Sequence, residues 1–354
     1  MRENYPKIYA KVEQPLNLAI QRNDLIFWLR LFLLGLIAIV FLLGYVLSAI
    51  ALWFHMPEIS RTYIVLGIVA IGLFLTGTAT VSKSHCVRLF GLAVIPLIST
   101  LYWWTGISPS NDRNWVPELA ETLKAKQSGS IVVLKNVRNF TWRSETDFDA
   151  AWEDWTVDLE ELESIDAALS HWGLHKIAHV LVSFGFTDGQ HVVFSVEIRR
   201  EEFEAFSELG GLFKQYELSL IAASEEDILY LRTNARTPKE DVYLYPIKVD
   251  AKARQELFLS YLRLANKLSE KPLWYNTITA NCTTMIYRLV RGFSPDQHFD
   301  IRFLLPGGLP EYFAENDLLL WEPTVEDYRQ KAAISAKAQA IQPGQSYSQI
   351  IRKE

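Results

Sequence analysis

Three long, almost uncharged runs fill the first third of this chain and constrain everything downstream. Residues 25–54 carry one charge, Arg30; residues 62–81 carry none; residues 87–105 carry only Arg88. Each is long enough as a helix to cross a hydrocarbon core of roughly 30 Å. The third ends on Tyr102-Trp103-Trp104, an aromatic cluster suited to a membrane–water interface. All three are too long, or too far inside the chain, for a cleaved signal peptide.

Basic residues orient the three spans. Arg2, Lys7, Lys11, Arg22 and Arg30 precede or open the first run, and Lys83 and Arg88 fall between the second and third. The connection over 53–61 has Arg61 alone among basic residues apart from His55. The positive-inside rule therefore places the N-terminus and the 82–86 loop in the cytoplasm and everything after Gly106 on the far side. The net charge of −6 averages two unlike parts, an apolar anchor and an ordinary globular domain. The expected organisation is a cytoplasmic N-terminus at 1–24, a three-helix anchor at 25–106, a linker and helix at 107–130, a folded extracytoplasmic domain at 131–330 and a tail at 331–354. The tail is rich in Ala, Gln and Ser and reads as a helix end fading into disorder.

This topology separates the only two cysteines, Cys86 and Cys282. Facing different compartments, they cannot pair, so Cys282 is a free thiol where thiols are normally oxidised or absent. Nucleophilic chemistry is the commonest reason to keep one; the plainer reading is a small buried hydrophobe.

Local patterns give Cys282 a context. Residues 115–126 have helical spacing, and 131–140 read as a strand. Residues 177–186 are rich in β-branched and aromatic types, Asp188-Gly189 is a strong turn dipeptide, and 191–199 resume the pattern, so the three form a hairpin. Counting outward from the turn sets His179 opposite position 197 or 198, making Glu197 its plausible cross-strand neighbour. Glu197 is equally placed to be a solvated residue or a partner of Arg199 or Arg200. Residues 218–231 and 242–249 are strand-like, and 251–268 form an amphipathic helix. Residues 281–290 read as a helix with Asn281 as N-cap and Cys282 in the first turn. A helix N-terminus stabilises a thiolate and offers N–H groups to an oxyanion. A strand-borne histidine can act as base, oriented by an acid.

His171, His175 and His179 fall at helical spacing and invite a metal reading, but Gly173 and the strand start break the shared face. No nucleotide-binding glycine motif is visible, so no cofactor and no nucleic-acid partner are expected.

The segments AHVLVSFGFTDGQHVVFSVEIRRE, FKQYEL, LYLRTNAR, EDVYLYPI, WYNTITANCTT and FLLPGGLPEYFAENDLL resemble the bacterial family typified by the lipoprotein N-acyltransferase Lnb, over about residues 136–320. His171 and His175 lie outside the family pattern. The family is similar to permuted NlpC/papain-like proteins, in which the histidine strand precedes the cysteine helix. The resemblance implies an α+β fold: three transmembrane helices, then a permuted NlpC/papain-like domain with an antiparallel sheet and a nucleophile-bearing helix. It further implies a Cys282 nucleophile with His179 as base, and Glu197 joins them as orienting acid by the hairpin argument. Asn281, Thr283 and Tyr275 are candidates for oxyanion and substrate binding. The implied donor is a membrane phospholipid, the acceptor a lipoprotein N-terminus, and the setting the bacterial inner membrane with the domain on the periplasmic side. Two alternatives share these residues: a membrane-tethered cysteine peptidase or amidase acting on cell-wall peptides, and a non-catalytic envelope assembly protein. An apolar groove leading to Cys282 would favour acyl transfer; an open polar cleft would favour hydrolysis.

Overall fold

A computed structural model describes residues 10–82, 84–173, 176–320 and 324–353, with 10–24 as backbone only. Arg2, Lys7 and Lys83 of the orientation argument, and His175 of the metal reading, lie outside the described residues. The chain divides into two compact units, Met1–Ser108 and Pro109–Glu354.

The first unit is three helices, α1 (Ala10–His55), α2 (Glu58–Val81) and α3 (Cys86–Gly106). The stretch Leu25–His55 of α1, together with α2 and α3, is apolar and long enough to cross a membrane three times. Most large aliphatic side chains point outward, and small residues with Tyr45 and Leu52 fill the inside. Tyr45 is 1% exposed, and its hydroxyl donates to the Ala93 carbonyl on α3 at 2.5 Å. Its ring lies against Gly72 of α2, where an added Cβ would fall 2.2 Å from a ring carbon. Close approach through a glycine is how helices pack without a hydrophobic driving force between them. Pro96 sits inside α3, where the Thr100 hydroxyl donates to its carbonyl at 2.9 Å.

The second unit is built on a sheet. Its strands in chain order are β1 (Lys124–Ser128), β2 (Ile131–Arg138), β3 (Thr141–Trp142), β4 (Phe148–Asp149), β5 (Trp152–Asp158), β6 (Leu162–His171), β7 (His179–Phe186), β8 (His191–Arg199), β9 (Glu217–Ala223) and β10 (Asp241–Pro246). Eight of them form one sheet in the order β1-β2-β9-β8-β7-β6-β10, with β5 also on β2; β3 and β4 make a separate pair. All sheet pairings are antiparallel except the short β2–β9 contact. Helices follow as α4 (Glu225–Tyr230), α5 (Ala251–Glu270), α6 (Cys282–Arg291), α7 (Leu309–Glu315), α8 (Val325–Ala332), α9 (Ser335–Gln339) and α10 (Tyr347–Ile351).

Strand alternation sorts the two faces. Val182, Phe184 and Phe186 of β7, with Val192, Phe194 and Val196 of β8, share a core with Phe258, Tyr261 and Leu262 of α5 and Met285 of α6. Leu181 and Val193, one residue out of phase, share another with Ile228 of α4, Ala338 of α9 and Tyr347 and Ile351 of α10. Each large side chain so buried contributes about 1.5–3 kcal/mol. The molecule is therefore of mixed α and β type, three apolar helices followed by a sheet-rich domain.

Three expectations change. Residues 115–126 are not a helix: a single 3-10 turn spans Pro117–Leu119, and β1 begins at Lys124. Trp115, Val116, Leu119 and Leu123 are all buried, but from a mostly extended chain, and the polar sequence of β1 suits a sheet edge. Residues 218–231 are a strand only to Ala223, because Ser224 accepts a hydrogen bond from the Asp227 N–H and starts α4. The stretch after 331 does not fade into disorder; α9 and α10 pack on the sheet with Tyr347 and Ile351 buried.

Candidate active site

One tight turn sets the position of His179. The loop Thr187-Asp188-Gly189 closes the β7–β8 hairpin, with the Phe186 N–H donating to the Gln190 carbonyl at 3.0 Å. Gly189 takes φ +85°, which a side chain would strain. The register then runs Gly185↔His191 through Leu181↔Ser195, and its continuation sets His179 against Glu197. His179 Nε2 lies 3.1 Å from Glu197 Oε1 and 2.7 Å from Ser195 Oγ, and the Ser195 hydroxyl donates to the same Glu197 oxygen at 2.6 Å. With its proton committed to the carboxylate, Ser195 can only accept from the ring, so Nε2 carries hydrogen and Nδ1 is the basic nitrogen.

Behind Glu197 stands Arg232, 3% exposed, whose Nη2 donates to Oε1 at 3.0 Å. Arg232 lies in Leu231–Ala235, a π-helical turn at the end of α4, wider than an α-helix, of a kind frequent at functional sites. Its Nη1 donates to the Ile228 carbonyl at 2.8 Å. Its Nε is 4.0 Å from Glu240, which in turn accepts hydrogen bonds from Ser170 and Arg236.

Cys282 opens α6. Asn281 caps the helix: its Oδ1 accepts from the Thr284 N–H at 2.8 Å, and the Thr284 hydroxyl accepts from the Asn281 N–H at 2.9 Å, a complete capping box. The Asn281 amide also donates to the Thr277 carbonyl at 2.7 Å, tying the preceding loop to the cap. The half-buried sulfur is hydrogen-bonded by the His179 side chain and by the Val180 backbone N–H. Cys86, the second cysteine, lies in the other unit.

The electrostatics follow from these contacts. Burial pushes the Cys282 thiol up, but the His179 hydrogen bond and charge and the Val180 N–H outweigh it, so its pKa is lowered. Burial opposes protonation of His179 too, yet the Glu197 carboxylate and the Cys282 sulfur raise it to about 9. Glu197, despite burial, is held well below the usual carboxylate range by His179, Arg232 and Ser195. The group therefore favours a thiolate–imidazolium pair backed by a fixed carboxylate. Among the described residues no cluster of three His, Cys, Asp or Glu side chains is arranged to hold a metal ion.

The remaining candidates sit around this centre in different ways. Thr283 is 1% exposed and its hydroxyl donates to the Phe303 carbonyl at 2.6 Å, so only its backbone N–H is available at the helix start. Tyr275 is half-buried and packs against the same core cluster that Cys282 packs against. Burial first, and then the sulfur's charge, raise its pKa. His171 ends β6 and stacks edge-on against Tyr243. Sequence reasoning missed Ser195, although it lies two residues before Glu197 and so on the same strand face. It also missed Arg232, whose distance in sequence from Glu197 hides the contact. Tyr261 of α5 was missed as well: its hydroxyl is buried without a hydrogen-bond partner among the described residues, and the Cys282 charge adds to burial in raising its pKa.

Residues 148–307 match the family described as the Lnb N-terminal periplasmic domain, consistent with the resemblance carried by the sequence motifs. Comparison with curated proteins and with solved structures returns no match. Three apolar helices followed by a domain of this kind describe a membrane protein with a periplasmic domain.

Proposed function

We propose that the protein is a membrane-anchored thiol acyltransferase of the inner membrane, carrying an acyl chain from a phospholipid through Cys282 to the α-amino group of a lipoprotein's N-terminal cysteine. One observation carries this reading: Cys282, at a helix N-terminus, is hydrogen-bonded by a histidine whose far nitrogen is fixed by Glu197 and Ser195. The order of histidine strand before cysteine helix, against an antiparallel sheet, supports a permuted NlpC/papain-like arrangement.

In the first half-reaction the Cys282 thiolate, its proton already held on Nδ1 of His179, attacks the ester carbonyl. The oxyanion that develops is met by backbone N–H groups of Cys282 and Thr283 at the start of α6. Collapse breaks the ester C–O bond, and the lysophospholipid alkoxide leaves with the proton held by His179. In the second half-reaction the acceptor amine attacks the thioester while His179 removes its proton. Collapse then expels the Cys282 sulfur, and an amide is formed. Glu197 and Ser195 hold the ring in place and stabilise its charged form throughout. Anchoring enzyme, donor and acceptor to one bilayer raises their effective concentration.

The test is intact-protein mass analysis of the full chain in detergent with phospholipid. An acyl adduct on Cys282 is expected, lost in Cys282→Ser and transferred when an amine-bearing lipopeptide is added. Normal lipoprotein N-acylation by a folded Cys282→Ser protein would sink the reading. Loss of cell-wall peptide cleavage in that variant would move the same residues to the hydrolase alternative.

A further inference from the structure

A groove of about 550 Å³ lies between α5 and α6, within the size range of small-molecule sites. Its lining includes Leu218, Leu264, Leu273, Trp274, Met285 and Leu289, all apolar or aromatic, and Arg263, Lys267 and Arg288, all three exposed. No lining residue is acidic. Arg263 is partly compensated, donating to Ser260 at 2.6 Å and lying 3.6 Å from Glu256. Lys267 and Arg288 have no carboxylate within ion-pair distance among the described residues. Two unneutralised cations on an apolar channel suit a ligand that is itself split, with an aliphatic chain and an anionic head.

The groove runs beside the nucleophile's helix. Cys282 does not line it, but Met285 is one turn further along the same face of α6, and Ala280 is two residues before the sulfur. Cys282 also packs against the core cluster that contains Leu218, Leu264, Leu268 and Met285. A chain lying on this floor is therefore led along the face of α6 that bears the thiol.

We propose that this groove is the acyl-donor site, with the aliphatic chain on the Leu264–Met285–Leu289 floor and the head phosphate held by Lys267 and Arg288. The site selects anionic head groups, because two unpaired cations meet one phosphate and a zwitterionic head would add a third positive charge beside them. The assignment rests on the acyl-transfer reading for its link to Cys282, but the binding site itself does not need turnover.

The experiment uses the full chain in detergent, in the Cys282→Ser background, with phosphatidylglycerol carrying a photoreactive diazirine in its acyl chain. Peptides of α5 and α6 should be labelled. Lys267→Glu with Arg288→Glu, both surface changes checked for an unaltered melting temperature, should reduce that labelling at least about tenfold. The same diazirine in a phosphate-free diacylglycerol, or on a phosphatidylcholine, should label several-fold less. Equal labelling by the three lipids, or indifference to the charge reversals, overturns the head-group assignment. Absence of α5–α6 labelling in a protein whose native Cys282 still becomes acylated overturns the groove while sparing acyl transfer. Labelling as expected with no acylation of Cys282 under any condition supports the groove and removes the acyl-transfer reading.

Discussion

The reactivity of Cys282 is set by His179 and the Val180 N–H, with Glu197 and Arg232 acting behind the imidazole. Because the thiol pKa is lowered and the imidazole pKa raised to about 9, the reactive ion pair exists between the two values. Alkylation of Cys282 by iodoacetamide should therefore be half-maximal at a pH below that of an ordinary thiol, and His179→Ala should move that midpoint upward. An unchanged midpoint in His179→Ala would show that the histidine does not hold the thiolate. Arg232 acts through Glu197 rather than on the sulfur. Arg232→Met removes the buried cation that bonds Glu197 and lies 4.0 Å from Glu240, leaving Glu197 with His179 and Glu240 with Arg236; it should cost about 1–3 kcal/mol, read as a lowered melting temperature. Restoring charge with Lys should recover part of the stability but not the Arg232 contacts to both Glu197 and the Ile228 carbonyl.

At the scale of elements, the cap of α6 and the glycine of α2 each govern a contact larger than themselves. Asn281→Ala removes the side-chain acceptor for the Thr284 N–H and the tie to Thr277, and should cost about 1 kcal/mol. The same change should slow Cys282 alkylation, since the frayed first turn aims its N–H groups less well; unaltered alkylation would confine the cap to stability. In the membrane unit, Gly72→Ala forces a methyl into the Tyr45 ring and should cost about 1–3 kcal/mol, measured by thermal unfolding in detergent. These elements also show what a sequence discloses. The Asn281–Thr284 box is local, two residues three apart that satisfy one another, and the hairpin is local too, so counting from Asp188-Gly189 makes Glu197 a cross-strand candidate for His179. The 115–126 segment misleads because Trp115, Leu119 and Leu123 repeat at helical spacing yet enter the core from an extended chain beside Pro117. Ser195 is concealed by its ordinary identity, and Arg232 by its separation of 35 positions from Glu197. The groove is illegible because it exists only between two helices whose relative placement no local pattern encodes.

Across the whole second unit, the segment after 331 closes the second layer of the sheet through a charge cluster. Arg352 donates to Asp166 of β6 and to both oxygens of Glu225 on α4, and Ser183 donates to Glu225 as well. Burial pushes both carboxylates up. It prevails at Asp166, whereas at Glu225 the Arg352 contacts win and hold the pKa at about 2. A folded pKa below the unfolded one means stability that is present above the unfolded value near 4.5 and lost as pH falls toward 2. The contribution is on the order of 3 kcal/mol. Acid unfolding followed by tryptophan fluorescence should therefore begin below about pH 4.5, and Arg352→Ala should unfold at higher pH and lower temperature. Equal acid midpoints for the two proteins would contradict this. The same cluster bears on how the domain is assembled during synthesis. Asp166 emerges 186 residues ahead of the arginine that neutralises it. Until that late segment arrives, β6 and α4 carry carboxylates without the arginine that bonds both of them. A chain interrupted before Arg352 should therefore be cleaved faster by proteases than the full one, and equal cleavage rates would contradict this.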